Sequence, residues 1–413
     1  MCPLKNKKIL FLKSFCLILG LIILVIGNHN FILFAKENPN DSKTLANIEL
    51  HAPSAILMEA STGTILYEKD PDTPRPPASV TKIMTMLLIF DALEEGKINL
   101  NDTVPVSEHA ASMGGSQVFL EVGETQSVDT MLKCISVASA NDACVCMAEY
   151  ICGSEEEFVR QMNQRAKELG MNHTTFINCN GLDADGHETS ARDIALMSKE
   201  LITKYPQIHD YCTIWMENIT HTTRKGTSEF GLTNTNKLIR QYEYATGLKT
   251  GSTGLAKFCV SATAKKNDIE LIAVILGADN SKTRFQDAVT LLNYGFASCQ
   301  IYKDYSPPKL GKIKIIGGVK ENIPCKYKTT FQYLDTNGQN LSAITKHLEL
   351  KKELHAPIHK GDSVGNLIYK LNGKEIGRIQ ILAAVSSDKA CFWDCLKKLL
   401  SFYFHVAGQT HKK

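Results

Sequence analysis

No charge of one sign dominates this 413-residue sequence: 46 Lys and Arg stand against 43 Asp and Glu, a formal net charge of +3. With both signs interspersed there is no basic stripe to track a phosphate backbone, which argues against a nucleic-acid partner. There is no internal repeat and no low-complexity tract. No uninterrupted apolar run reaches the roughly 20 residues that a full membrane span needs. Zinc-finger spacing is also missing. Cys144 and Cys146 form a C-x-C pair and Cys391 and Cys395 a C-x3-C pair, and neither has a second Cys or His pair at the right distance. The 13 cysteines are odd in number and follow no short repeated spacing, so they do not read as a disulfide framework. Buried free thiols acting as small apolar residues are the simpler reading, and a metal or redox role is the other.

What is present is the composition of an ordinary folded protein, with 44% hydrophobic residues. The length suits two or three domains of roughly 100–200 residues. The N-terminus reads as an export signal: Lys5, Lys7 and Lys8 precede an apolar stretch from Phe15 to Gly27. A second apolar patch, Phe31 to Ala35, leaves two possibilities, cleavage after Ala35 or an uncleaved anchor. Either way residues 1–35 stand outside the fold and the rest of the chain is exported. At the other end, Phe392, Leu396, Leu399, Tyr403 and Val406 recur at helical spacing, with Asp394, Lys397, Lys398, Ser401 and His405 on the opposite side. An aromatic, basic amphipathic helix of this kind suits a membrane interface; the other reading is a helix packed on the protein's own core.

Between these ends, Ser54–Glu59 and Thr64–Lys69 read as two strands, and a Pro-rich linker (Pro71, Pro74, Pro76, Pro77) leads into a helix over 79–95. Its apolar face is expected to be Val80, Ile83, Met84, Leu87 and Phe90. Residues 128–201 read as largely helical, broken by a polar loop over 178–188. Phe258–Ala264 and Ile269–Leu276 read as a strand pair. Pro307-Pro308 marks a boundary, beyond which short alternating runs (Ile313–Ile316, Lys328–Tyr333, Leu348–Lys351, Asn366–Leu371, Ile376–Ala384) and turns such as Asn372-Gly373 indicate a small all-β domain. The expected layout is therefore 36–306, 307–388 and a terminal helix over 389–413.

Three short motifs carry chemistry. Ser79-Val80-Thr81-Lys82 opens the apolar helix. Residues three apart on a helix share a face, so the hydroxyl and the amine can meet. Serine needs a base to become a nucleophile, and lysine is a base only when burial or a neighbouring cation keeps it neutral. Backbone N–H groups at the helix start can receive a developing oxyanion. Ser139-Ala140-Asn141 offers a hydroxyl for proton relay and an amide for a substrate backbone. Lys249-Thr250-Gly251, followed by Ser252, offers a positive charge, hydroxyls for a carboxylate, and a glycine for close approach, just ahead of the expected strand pair. Each motif alone is common; the three in this order are not.

Beyond the motifs, SAILMEASTGTILYEKD, PPASVTKIMTMLL, SMGGSQVFLEVGE, SVASANDA, TGLKTGSTGLAKFCVSATAKKNDIELIAVILGA and HKGDSVGNLIYKLNGKEIGRIQILA resemble the low-molecular-weight D-alanyl-D-alanine carboxypeptidases over essentially the whole mature chain. The resemblance implies an α/β (α+β) β-lactamase/transpeptidase-like catalytic domain, an antiparallel sheet flanked by helices, with a small all-β domain and a terminal amphipathic anchor. It implies Ser79 as the acylated nucleophile, Lys82 as its base, and Ser139 and Asn141 as the second catalytic element. Lys249, Thr250, Gly251 and Ser252 would line the third, and the N–H groups of Ser79 and Ser252 would form the oxyanion hole. Arg284 falls where the family has an arginine near the substrate's terminal carboxylate; a surface arginine is the alternative. Peptidoglycan stem peptides ending in D-Ala-D-Ala and β-lactam antibiotics are the implied partners, at the outer face of a bacterial cytoplasmic membrane, with no metal or organic cofactor. The family often has a histidine in the loop where this chain has Cys179 and Asn180.

Four alternatives stand beside that reading. A class A β-lactamase shares the motifs and needs a glutamate to activate water. Glu168 and Asn172 fit an E-x-x-x-N pattern, but they lie 29 residues after Ser139 at what reads as a helix end. A D,D-endopeptidase would use the same site. A wall scaffold without catalysis would make the β domain the working part. A penicillin sensor would be acylated without releasing D-alanine.

Overall fold

The computed structural model describes residues 48–410 except Lys352, with side chains as far as Ser401. The apolar stretches read as signal or anchor lie outside the described residues, as do the side chains of Tyr403, His405 and Val406. Among the described residues no helix is long and apolar enough to cross a membrane.

The catalytic half is built on a five-stranded antiparallel sheet of β1 (Ser54–Glu59), β2 (Ile65–Lys69), β3 (Ala245–Thr253), β4 (Lys257–Lys266) and β5 (Ile269–Ala278), in the order β2-β1-β5-β4-β3. β1 pairs Ser54 with Leu276 and Glu59 with Leu271, so the sheet joins the beginning of this half to its end. Both faces are covered, which is why β1 from Ala55 to Met58 and β5 from Leu271 onward are apolar without alternation. Side chains alternate between two cores. Ile56, Met58, Ile272 and Val274 point to the larger one. Ala55, Leu57, Ala273 and Ile275 point to the smaller one, under the long helix Ser281–Ser298, which adds Phe285, Ala288, Leu291 and Leu292.

The helix α1 (Lys82–Glu94) runs through the middle of the larger core. The sequence leads one to expect a single apolar face; instead Lys82 to Phe90 are buried without interruption. Neighbours surround this helix on every side, as its nearly continuous apolar run allows. The expected helical region is present as Val128–Lys133, α2 (Asn141–Cys152), Glu155–Glu168 and Ala191–Lys204. A hairpin, Met216–Thr223 with Gly226–Thr233, stands outside the readings made from sequence.

The C-terminal β domain contains β6 (Cys325–Tyr327), β7 (Thr345–Leu350), β8 (Ser363–Leu371) and β9 (Lys374–Ala383), in the antiparallel order β6-β9-β8-β7. Asn372 and Gly373, at φ 52° and 81°, make the tight turn between β8 and β9. The expected strand at Lys328–Tyr333 breaks up: pairing stops at Tyr327 and resumes at Gln332, because Phe331 turns inward and stacks on Tyr369 at 3.7 Å. Gln300–Lys303 pairs with Gln332–Asp335, on the far side of Pro307-Pro308. The terminal helix covers Phe392–Thr410, with Phe392 73% and Trp393 65% exposed. The eleven described cysteines are all unpaired, and most of them are buried.

Candidate active site

Ser79 sits in a 3-10 turn, Ala78–Thr81, rather than in the α-helix proper, which begins at Lys82. Ala78 is held at φ 48°, a conformation unfavourable for a residue with a Cβ. The surroundings over-determine it. The Thr81 hydroxyl donates to the Ala78 carbonyl at 2.9 Å, and His187 Nε2 lies 2.8 Å from that same hydroxyl. Because His187 Nδ1 accepts the Ile177 N–H at 3.0 Å, the partners assign the proton to Nε2. Burial lowers the pKa of His187 to about 4 and so keeps the ring neutral.

Lys82 is fully buried. Its Nζ lies 3.1 Å from Ser79 Oγ, 2.7 Å from Asn141 Oδ1 and 2.6 Å from the Asn180 carbonyl. Among the described residues no carboxylate forms an ion pair with it. Burial pulls its pKa below the ordinary lysine value, against the pull of Cys144, Cys179 and Asp142.

Asn141 is held in turn, its Nδ2 donating to the Gly114 carbonyl at 2.7 Å. Asp142, beside it, is buried, and its carboxylate accepts the N–H groups of Val118 at 3.1 Å and Leu120 at 3.2 Å. Burial raises its pKa despite those bonds. The 114–120 segment is thereby fastened against the second motif. Ser139 lies between the π turn Cys134–Ala138 and α2, at φ 62°. Its hydroxyl is buried and, among the described residues, has no hydrogen-bond partner.

The third motif is on a strand. Lys249, Thr250 and Gly251 belong to β3, where the sequence reading places only the approach to a strand pair. A Cβ on Gly251 would come within 2.8 Å of the Ser79 N and 2.9 Å of the Pro77 O, so only glycine lets this strand lie against the Ser79 turn. Lys249 is buried, with Nζ 3.0 Å from the Thr250 carbonyl. Burial, and then the charge of Lys82, bring its pKa down to about 7. Thr250 Oγ1 donates to Thr235 Oγ1 at 2.9 Å, while the Thr235 N–H donates to the Val137 carbonyl at 3.1 Å, tying β3 to the turn that carries Ser139. Ser252 is exposed.

The structure thus brings Ser79, Lys82 and Asn141 into direct contact and lays Gly251 against the Ser79 turn. Arg284 is buried, and its Nη1 donates to the carbonyls of Gly251 at 3.0 Å and Cys259 at 3.2 Å, bracing β3 from behind. Its Nε has no protein partner, and burial lowers its pKa to about 10. Three contributors escaped the sequence reading. Asn180 acts through a backbone carbonyl, which leaves no trace in residue type. Thr235 has no motif around it. Asp142, directly after the second motif, is a carboxylate in a helix that is otherwise buried and could have been singled out. Glu168 ends its helix half exposed, 3.5 Å from Arg165.

Residues 40–280 match the D-alanyl-D-alanine carboxypeptidase family. The chain belongs to that family. Residues 296–389 match the C-terminal domain of penicillin-binding protein 5. The chain is 40% identical over 385 residues to the D-alanyl-D-alanine carboxypeptidase DacF of Bacillus subtilis, covering 93% of this chain and 96% of that protein. It is 31% identical over 391 residues to the carboxypeptidase DacC of Escherichia coli, covering 92% and 96%. Among solved structures it resembles penicillin binding protein 5 from Haemophilus influenzae, with a TM-score of 0.68 at 28% identity, over 83% of this chain and 99% of that one. The carboxypeptidase is a serine hydrolase of peptidoglycan metabolism that acts on D-Ala-D-Ala ends and binds β-lactams. That reading is favoured over the β-lactamase, endopeptidase and scaffold alternatives.

Proposed function

We propose that Ser79 carries the acyl group and that Lys82, neutral, is its base. The observation that carries this is the set of partners around Lys82. A neutral amine has two N–H donors and one lone pair. Asn141 Oδ1 and the Asn180 carbonyl can only accept, so they take the two donors. The lone pair is left for the hydroxyl proton of Ser79, 3.1 Å away. Ser79 Oγ then attacks the carbonyl of the penultimate D-alanine. The N–H groups of Ser79 and Ser252 receive the oxyanion, on the two backbone segments that Gly251 allows to touch. The buried Ser139 hydroxyl, free of protein partners, passes the proton to the leaving amine. Lys249 and Thr250 hold the terminal carboxylate, and Arg284 supports that end from behind β3. Water then cleaves the acyl-enzyme. A β-lactam follows the same first step and leaves slowly.

The site works outside the cell in this proposal. Residues 1–35 direct export, 36–306 form the catalytic domain, 307–388 the β domain, and 389–413 lie on the outer face of the cytoplasmic membrane. The exposed Phe392, Trp393 and Leu399 support that role for the helix.

The test is labelling of the full chain, in detergent, with a fluorescent penicillin, beside Ser79→Ala, followed by D-alanine release from a diacyl-D-Ala-D-Ala peptide. Label and release in the wild type only are expected. Label on Ser79→Ala would move the nucleophile elsewhere, and label without release would leave a penicillin sensor.

A further inference from the structure

Among the described residues, the outer strand of the β domain, β7, is paired along one edge and unpaired along the other. Its register with β8 runs unbroken from Thr345–Lys370 to Leu350–Gly365. The Lys351 N–H donates to the Val364 carbonyl at 3.0 Å, continuing that register. Hydrogen-bonded pairs alternate along an antiparallel ladder, so Thr345, His347 and Glu349 turn their backbone groups to β8. Those of Lys346, Leu348 and Leu350 therefore point outward. Proteins usually blunt such an edge by keeping it short, or with charged side chains, a proline, a bulge or a covering segment; β7 has the charges of Lys346 and Glu349, of which the first is tied to Asp304. β7 has no proline and no bulge, and nearly all of it is exposed. Leu348 and Leu350 are 41% and 37% exposed, at the margin of the small core formed by Phe331, Leu367, Tyr369 and Ile379.

We propose that this edge is the docking surface for a second copy of the chain, joined by antiparallel β7–β7 pairing about a twofold axis at Leu348. The residues themselves select this register. Centring on Leu348 sets Leu348 against its own copy and Lys346 against Leu350, all in outward-facing positions that can exchange backbone hydrogen bonds. His347 then faces Glu349 of the partner subunit across a non-hydrogen-bonded pair, where side chains come closest, and symmetry makes this contact twice. A shift in one direction puts His347 opposite itself, and a shift in the other sets Glu349 opposite itself. The Leu348 register therefore gives the most paired residues and is the only one that sets an imidazole against a carboxylate. It unites two four-stranded sheets into one of eight strands and covers the exposed leucines. Lys346 does not oppose this, because its ammonium is already held by Asp304 at 2.6 Å and by the Ser306 carbonyl at 3.0 Å. An interface this small is weak and forms only at high local concentration.

The test uses the full chain in detergent, with sedimentation velocity over a concentration series and backbone amide exchange. Reversible dimerisation is expected, with concentration-dependent protection of the Lys346, Leu348 and Leu350 amides and no change at His347 or Glu349. His347→Glu and Glu349→Lys should each weaken the dimer about fivefold to tenfold, and the double exchange should restore it. A monomer at all concentrations would overturn the proposal. So would a dimer indifferent to the single exchanges, which would place the contact on another face, or protection independent of concentration, which would mean that the edge is covered within one chain.

Discussion

The catalytic half and the β domain each draw a lysine inward, and they treat it in opposite ways. In the β domain, Lys346 meets a charge from before Pro307-Pro308: Asp304, its side chain only 2% exposed, receives the ammonium at 2.6 Å and the Tyr369 hydroxyl at 2.7 Å. Burial alone would raise the Asp304 carboxyl, but Lys346 and Tyr369 outweigh it and hold the pKa below its ordinary value. In the catalytic half, Lys82 is buried more deeply, and among the described residues its hydrogen-bond partners are all uncharged: Ser79 Oγ, Asn141 Oδ1 and the Asn180 carbonyl. An ion pair fixes a lysine in its charged form and makes it a structural pin. Burial among neutral acceptors instead favours the neutral amine, the form that the proposed role of a base needs. The difference lies in the partner and not in the residue type.

Replacing each lysine should separate the two roles. Lys82→Arg keeps a cation that cannot lose its proton at accessible pH. Acylation by penicillin and D-alanine release should both fall by about 10²–10⁴, the usual worth of a general base, with little change in thermal unfolding; acylation within tenfold of wild type would move the base elsewhere. Lys346→Met should do the reverse. Leaving Asp304 buried without its cation costs about 2 kcal/mol, read as a lower unfolding midpoint, while the acylation rate of the folded protein stays at the wild-type value. A loss of acylation there would mean that the β domain shapes the site. The smallest effect concerns Lys249, whose pKa lies at about 7 in the folded chain, against about 10.4 for a free lysine. Between those values the unfolded chain binds a proton that the folded chain has released, so stability rises with pH. Melting curves from pH 7 to 9 should show a rise of a few degrees, smaller in Lys249→Met; an equal slope in both would assign the rise to other groups.

Much of this site was readable before any coordinates. The spacing of Ser79 and Lys82 put hydroxyl and amine on one side of a turn, and it did so although that turn proved to be 3-10. The apolar runs of β1 and β5 were plain because β-branched and aliphatic residues dominate them. β3 was not. It contains Gly247 and Gly251, both poor strand formers, and no alternation marks it. Its burial comes from contact with the Ser79 turn and from Arg284 behind it, both distant in sequence. The segment over 178–188 read only as a polar loop between helices, yet it delivers the Asn180 carbonyl to Lys82 and His187 to Thr81. Contacts made through backbone atoms, or through one side chain far along the chain, leave no local pattern to find.

The place of β1 in the sheet also bears on how the molecule is made. The β1–β2 hairpin is among the first elements synthesised, but the partner on its other side, β5, follows more than two hundred residues later, since Ser54 pairs with Leu276. At about 5–20 residues per second, the hairpin would wait on the order of ten seconds or more with one edge open. β1 and the partner it waits for, SAILME and IELIAVILGA, are among the most apolar strands in the protein. A chain that folded as it emerged would present that edge to its neighbours throughout the wait. One kept unfolded until the whole catalytic half is out closes the sheet in a single step. The order of the strands therefore favours folding only after the last of them, β5, has been made.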